Sequence, residues 1–490
     1  MISSRSQYRN IMKGTAIFGG TQVYNVLVGI VRGKLVAMIL GPLGMGINSL
    51  FTAAIAPIQQ LATLGMPLSA VRNISGETDE IKRRKIVKSF RMMITAAAFV
   101  GVVFTILLSS PLSRATFGDD KYTWSFVALS LAVLFSVLCN GENTILQGYR
   151  RLKSLAFRSI IGSTAGLVIG VPLYYAYGID GIVPAIVILA FVSYIVSLFG
   201  TRKINLKTSE LSWKEAFTIS KAFILLGLTM MIAVILGQMS TYGLNIIIRH
   251  FGTLADVGLF QAANSITNQY VGMIFAAMAT DYYPHLSSII KDKEQTSLLV
   301  HQQGEIVLFL VTPIAVLMII TAPLIIRVLL TSEFYPVIDI IRLMGLGLIF
   351  KAACFPLGYL ALAQGDKAFY FGMDGIWTNI KWIVLFGTFY IFWGLKGLGY
   401  AVLLNSIIDI IIVIVMNKWR YNIGYNLGFR IKLISLYIFT AMVLLCSYID
   451  NNILSFLLMI AIGSVVCVYC IRELNKRTEV VEFLKRKLRK

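Results

Sequence analysis

Charged side chains set deep inside apolar stretches are the residues of this chain that can do chemistry. Arg32 and Lys34 fall in the outer half of the first long apolar run, Lys351 near the middle of the tenth and Lys381 near the middle of the eleventh. Arg249 falls in the short loop after the seventh, and Arg327 and Arg342 lie nearer the outer ends of their runs. The acids Glu142, Asp281, Glu305, Asp374 and Asp409 mostly lie closer to run ends as well. An ion at the centre of a bilayer costs about 2.5–3.5 kcal/mol on insertion scales, so each needs a counter-ion or water. Asp374 and Lys381 are seven residues apart, two turns along one helix face, too far for direct pairing. Asp409 is placed to meet Lys381 from a neighbouring span, while snorkelling accounts for Glu305 and Asp281. Two readings stay open for Arg32, Lys351 and Lys381: structural pairing, or spare positive charge facing a wet cavity that would suit an anionic substrate. Glu142, Asp374 and Asp409 are then pairing or coupling acids. Arg offers a planar fork to a phosphate and Lys a point charge.

Those charges must be held by membrane helices. Of the 490 residues, 57% are hydrophobic and 14% charged, with a mean hydropathy of +0.78, more apolar surface than a soluble core could hide. The expected fold class is all-α, a polytopic helical membrane protein. Fourteen spans are read, at about 14–38, 43–66, 90–110, 123–146, 159–177, 181–200, 222–246, 255–279, 305–330, 337–361, 370–392, 398–416, 431–449 and 453–471. The first span, preceded by Arg5, Arg9 and Lys13, is too long for a signal-peptide core and is expected to stay attached. The ten-residue alternating segments of a β-barrel are absent.

Lys and Arg gather in alternate loops, at Lys82-Arg83-Arg84-Lys85, Arg150-Arg151, Lys153, Arg202-Lys203, Lys291, Lys293, Lys418, Arg420 and the tail. On this span map 32 of the 44 lie on one side; only Arg114, Lys121, Arg249 and Lys396 fall in the opposite loops. The positive-inside rule therefore puts both termini in the cytoplasm. Topology and lipid headgroups account for the net charge of +21, and no nucleic-acid partner is implied. All five cysteines lie in apolar spans, where Cys467-x-x-Cys470 reads as packing. His250, His285 and His301 are scattered and give no metal spacing. No cofactor is expected.

Landmarks recur in order along the two halves. Gly-Pro-Leu-Gly-Met-Gly from Gly41 matches Gly-Thr-Leu-Ala-Asp-Val-Gly from Gly252, Pro111 matches Pro323, Gln147-Gly148 matches Gln364-Gly365, and Tyr177-Gly178 matches Trp393-Gly394, at offsets of 211, 212, 217 and 216. An internal repeat follows. Six spans in each half give both the same orientation, so the repeats are parallel, the usual frame for a transporter with its site between them. The expected divisions are an N-terminal lobe over 1–200, a cytoplasmic linker over 201–220, a C-terminal lobe over 221–417, two extra spans over 418–471 and a basic tail over 472–490. Val480, Val481, Phe483, Leu484 and Leu488 would form an apolar stripe if the tail is a helix on anionic lipid. Tyr24, Asn25, Gln22, Gln238, Tyr242, Asn245, Gln261, Asn264, Asn268, Gln269 and Tyr270 interrupt spans 1, 7 and 8, either as interhelical glue or as a pathway lining. Short outer loops argue against a membrane glycosyl-transferring enzyme, and no phosphate-binding loop of the ATPase kind is present.

Several stretches resemble a known family. Lys13-Gly14-Thr15, Gly19-Gly20-Thr21-Gln22, the run from Arg32 through Gly46, and Leu64 through Arg72 are similar to the start of Wzx-type O-antigen and polysaccharide flippases. Asp281-Tyr282-Tyr283-Pro284-His285, Glu333-Phe334-Tyr335-Pro336 and the stretch ending at Phe350-Lys351 are similar to their second half. These flippases belong to the multidrug/oligosaccharidyl-lipid/polysaccharide exporter superfamily. The resemblance implies two six-helix lobes forming a V around a central cavity, with the last two spans outside. It implies a cargo, an oligosaccharide repeat unit on undecaprenyl diphosphate, flipped from the cytoplasmic to the periplasmic leaflet of a bacterial inner membrane. Membrane lipids and the polysaccharide polymerase machinery would be its partners. Arg32, Lys351 and Lys381 would attract the diphosphate, with Lys34 and Arg249 as lesser candidates. A multidrug cation antiporter and a lipid II flippase of the same superfamily are the rival readings; the first is disfavoured because span 1 carries two cations and no acid.

Overall fold

The computed structural model describes the backbone of residues 4–202, 204 and 211–478, and the side chains in those ranges except at 4–19, 68, 152, 222, 223, 225, 226, 228–230, 269–271, 273, 276, 277, 280 and 478. Arg5, Arg9 and Lys13, Lys203, the side chains of Gln269 and Tyr270, and the apolar stripe of the tail lie outside the described residues.

Every regular element among the described residues is helical, because in hydrocarbon a helix satisfies its backbone polar groups within one segment. In chain order they are α1 (Ser4–Ala62), α2 (Met66–Gly76), α3 (Glu80–Leu107), α4 (Ser109–Phe117), α5 (Thr123–Gly148), α6 (Leu152–Ala165), a π turn (Gly166–Gly170), α7 (Val171–Tyr177), a 3-10 turn (Gly178–Gly181) and α8 (Ile182–Arg202). Then come α9 (Trp213–Phe251), α10 (Leu254–Ile289), α11 (Lys293–Leu329), a 3-10 turn (Ser332–Val337), α12 (Ile338–Gln364), α13 (Lys367–Tyr370), a π turn (Phe371–Trp377), α14 (Thr378–Tyr421), α15 (Leu427–Cys446) and α16 (Asn452–Thr478). Nine stretches of the described residues are long and apolar enough to cross a membrane.

Glycine breaks the three longest of those stretches. Gly41 interrupts α1 just before Pro42, Gly178 ends α7, and Gly394 interrupts α14. Gly178 (φ 56°, ψ −129°) and Gly394 (φ 57°, ψ −142°) hold nearly the same conformation at repeat-related positions. That region is open to glycine and strained for any residue with a Cβ. Polar side chains start the helices that follow loops. The Asp79 carboxylate accepts from the Ile81 and Lys82 amides, and Ser212 and Glu215 form a reciprocal capping box at the start of α9. Asp292 and Asn426 cap α11 and α15 in the same manner.

The chain packs as two compact units, Met1–Gly258 and Leu259–Lys490. The first has a core of Phe51, Phe90 and Phe126, with Phe51 against Phe117 at 4.9 Å between ring centroids. Helix α9, which follows the 201–220 connection, packs here. The Ser89 hydroxyl donates to the Ala216 carbonyl at 2.5 Å and lies 2.7 Å from the Ser220 hydroxyl. Tyr242 and Thr116 share a hydrogen bond of 2.6 Å. The repeat motifs from Gly41 and Gly252 meet backbone to backbone in this unit. A methyl group on Gly46 would run into the Leu254 carbonyl, and one on Gly258 into that of Pro42. The two contacts are the same contact seen from either partner, since an offset of 212 relates Pro42 to Leu254 and Gly46 to Gly258.

The second unit is built around Phe309, Phe334, Phe386 and Phe429. Pro356 interrupts the backbone ladder of α12. Two buried tyrosines bond that turn, Tyr425 donating to the Ala353 carbonyl at 2.7 Å and Tyr282 to the Pro356 carbonyl at 3.0 Å. Helices α15 and α16 both pack on α11. Ion pairs from the Glu305 carboxylate to Lys432 (2.6 Å) and Arg477 (2.7 Å) tie them down, so pairing rather than snorkelling keeps Glu305 charged.

Gly394→Ala is expected to lower the thermal midpoint of the purified protein, at a cost of about 1–3 kcal/mol from backbone strain alone, because the space around a Cβ there is empty. Gly33→Ala, in open space within a helix, is expected to be neutral or slightly stabilising. Equal midpoints for both variants would refute this account of the break in α14.

Candidate functional site

Helices α10, α12 and α14 and the π turn at Phe371–Trp377 enclose a cavity of about 610 Å³ in the second unit. A π turn carries one residue more than an α turn, re-aims the side chains around it and recurs at functional positions. This one sets Asp374 on the wall. Lys351 is exposed to the cavity from the middle of α12, and its ammonium donates to the Asn268 amide oxygen at 3.4 Å. Asn268 donates in turn to Asn264 at 2.7 Å. Asp409 receives Lys381, which is 7% exposed, and the Asn405 amide at 2.8 Å. The rest of the wall is largely aromatic, with Phe275 stacked on Phe355 at 5.1 Å and Trp382 on Phe386 at 3.8 Å. Amides, two carboxylates and an accessible amine among aromatic faces make a site for a polar, hydroxyl-bearing ligand.

The first unit holds a cavity of about 400 Å³ among α1, α5, α6 and α8. Its charged residue is Arg158, with Gln59, Ser136, Asn140, Asn143 and Ser193 around it. The guanidinium donates to the Cys139 sulfur at 3.2 Å, while its Nε–H is buried without an acceptor. Among the described residues no carboxylate pairs with Arg158.

The two cavities occupy matching places in the repeat. The offset of 216 that relates Gly178 to Gly394 also pairs Ile186 with Val402, Leu189 with Asn405, Ala190 with Ser406 and Ser193 with Asp409. All eight line their respective cavities. It pairs Arg158 with Asp374 as well, so equivalent wall positions carry opposite charges. The span map set Arg158 just outside the fifth span, among the loop cations, and so missed it. The offset was the signal that could have found it.

The candidates read from the sequence fall into two groups. Lys351, Lys381, Asp374 and Asp409 come together in the second unit; Arg32, Lys34, Arg249 and Glu142 lie in the first. Lys381 forms an ion pair with Asp409, so the pairing alternative replaces spare charge there. Around that cavity two amines, Lys351 and Lys381, stand against two carboxylates, Asp374 and Asp409. Arg32 lies over Gly166 and interacts with Tyr174, and half-buried Lys34 is also engaged. The Arg249 guanidinium covers Gly118, the left-handed residue that ends α4, and so lies away from the cavity. Glu142 is held by Arg91 at 2.6 Å and the Thr201 hydroxyl at 2.5 Å. On α1 the polar residues act as glue. Tyr24 bonds Thr164 at 2.8 Å, and the Asn25 amide joins Ser159 and Ser163, both at 2.7 Å. Asn264 and Asn268 line the cavity instead.

A polytopic all-helical chain with a cavity bearing charged and amide groups in each of two compact units has the architecture of a membrane transporter. The model of a polysaccharide biosynthesis protein family matches residues 35–339, and the chain belongs to that family. It is 23% identical over 375 residues to proteins named lipid III flippase from Escherichia coli (strain K12) and Shigella flexneri, covering 74% of this chain and 87% of each relative. Among solved structures it resembles the lipid II flippase MurJ in an inward closed conformation, with a TM-score of 0.71, 17% identity, and coverage of 95% of this chain and 99% of that one. An inward-facing multidrug resistance transporter of the MATE family matches with a TM-score of 0.63 and 14% identity, over 84% of this chain and 95% of that one. The fold expected from the sequence is thus borne out, as is membership of a polysaccharide biosynthesis family.

Arg91→Leu would strand a buried carboxylate, Glu142 being 6% exposed at its side chain. Its expected cost is about 3 kcal/mol, read as a lower thermal midpoint. The double variant Arg91→Leu, Glu142→Gln should recover most of that loss, since the amide still meets Thr201. No recovery would mean that the pair is not what holds this site.

Proposed function

We propose that this chain is a flippase that moves a polyprenyl-diphosphate-linked oligosaccharide from the cytoplasmic to the periplasmic leaflet of a bacterial inner membrane by alternating access. The distribution of Lys and Arg supports a topology with both termini in the cytoplasm. A diphosphate and a row of hydroxyls cannot cross hydrocarbon unaided, because each bare charge or unpaired hydroxyl is penalised there. The cavity at Lys351 carries the reading: a largely aromatic space whose wall bears amides, two carboxylates and an accessible amine. Membership of a polysaccharide biosynthesis family and the lipid III flippase relatives support it.

In this mechanism Lys351 meets a phosphate oxygen as a point charge, steadied by Asn268. Asn264, Asn268 and Asn405 exchange hydrogen bonds with sugar hydroxyls, and the aromatic faces cover the ring carbons. Lys381 acts by positioning Asp409. Asp374 and Asp409 are the carboxylates available to couple transport to a proton or cation gradient. Arg32 and Lys34 remain secondary contacts on α1; Arg249, over Gly118, has the weakest claim. The polyprenyl tail stays in the bilayer throughout.

Lys351→Ala, produced at normal levels in cells lacking their own copy, is expected to cut surface polysaccharide about tenfold or more, the worth of one lost charge-assisted hydrogen bond. Normal polymer would remove Lys351 from the mechanism. The match to a lipid II flippase over 99% of that chain favours a second reading, in which the sugar is a peptidoglycan precursor. Growth of a strain depleted of its lipid II flippase, restored by this chain, would select it.

A further inference from the structure

We infer that the cavity of the first unit is a subsite for a sugar carboxylate, so that the cargo includes an acidic sugar; this rests on the flippase reading above. Arg158 is the observation that carries it. Its guanidinium presents five N–H donors, of which one meets the Cys139 sulfur, a weak acceptor, and Nε–H meets nothing. A permanent cation held among apolar helices with no carboxylate paired to it among the described residues, on the wall of an open cavity, is built to receive an anion from outside the chain.

Charge count selects the anion. One guanidinium neutralises one negative charge and matches the two oxygens of a carboxylate with parallel hydrogen bonds. A diphosphate carries two or more charges, and among the described residues Arg158 is the one cation on this wall. Arg91, on α3, is already held by Glu142 and Thr201. The neighbours suit a sugar: Gln59, Asn140, Asn143 and Ser193 supply amide and hydroxyl groups for ring hydroxyls, and Asn140 is exposed, leaving one side open to entry. About 400 Å³ is ample room for a sugar ring. At the equivalent wall position the second unit carries Asp374. The shared helical scaffold therefore does not demand a base here, and the Arg is specific to what this cavity binds.

The test uses the full chain in lipid nanodiscs and ligand-observed NMR with glucuronate, with neutral glucuronamide of the same shape, and with inorganic pyrophosphate. Glucuronate is expected to bind and glucuronamide not. Arg158→Gln should weaken glucuronate about tenfold or more. Arg158→Lys, which keeps the charge and loses the planar fork, and Asn143→Ala should each weaken it by less; they decide the matter if the Gln variant fails to fold. Glucuronate binding unchanged in all the folded variants overturns the inference. So does Arg158-dependent binding of pyrophosphate in place of glucuronate, which would assign the cavity to the lipid anchor's phosphates. Surface polysaccharide restored by a chain without Arg158-dependent glucuronate binding overturns this inference and leaves the flippase reading intact. Glucuronate bound through Arg158 by a chain that restores no polysaccharide does the reverse.

Discussion

An ion cannot rest in hydrocarbon alone, and that constraint organises this molecule. Each deep charge meets a counter-ion, a polar neighbour or a cavity. Arg91 with Glu142 and Lys381 with Asp409 are the first solution. At the rim of the second unit, Lys432 and Arg477 share Glu305 and fasten the last two helices to the bundle. Lys351 and Arg158 are the other solution: each reaches a cavity with polar company and no acid in contact. The paired charges fix helices, and under the proposed flippase function the accessible ones are what a cargo would meet.

Helix breaks give those charges their positions. Three glycines in conformations that would strain any other residue divide the longest apolar stretches, and two π turns shift the register of the helices that carry Arg158 and Asp374. Straight helices would hold the same residues at other angles. Tyrosine hydroxyls bonded around Pro356 steady the interrupted turn close to Lys351, so the site stands on irregular backbone that is buried in protein, as a membrane requires.

Much of this is legible in the sequence, because hydropathy and glycine are local signals. The all-helical class follows from composition, the breaks from Gly41, Gly178 and Gly394, and the Lys381–Asp409 pair from their places on successive spans. Pairings between distant helices are not legible. Glu142 gives no hint of Arg91, fifty-one residues earlier, and Tyr24 and Asn25 look alike whether they line a pathway or bond α6. Arg158 was hidden by a boundary error of one residue, enough to move a cation from a cavity wall into a loop. The position of α9 was hidden too, because it depends on close contacts such as Gly65 with Gly227, where the sequence records only the lack of a side chain.

The meeting of Gly46 with Leu254 and of Gly258 with Pro42 is a single contact made twice, each motif serving as both knob and socket. A surface that is its own mate is the signature of a twofold dimer. The two motifs therefore constrain each other as the faces of such a dimer would: neither Gly46 nor Gly258 has room for a side chain, and a change in one motif is met at once by the other.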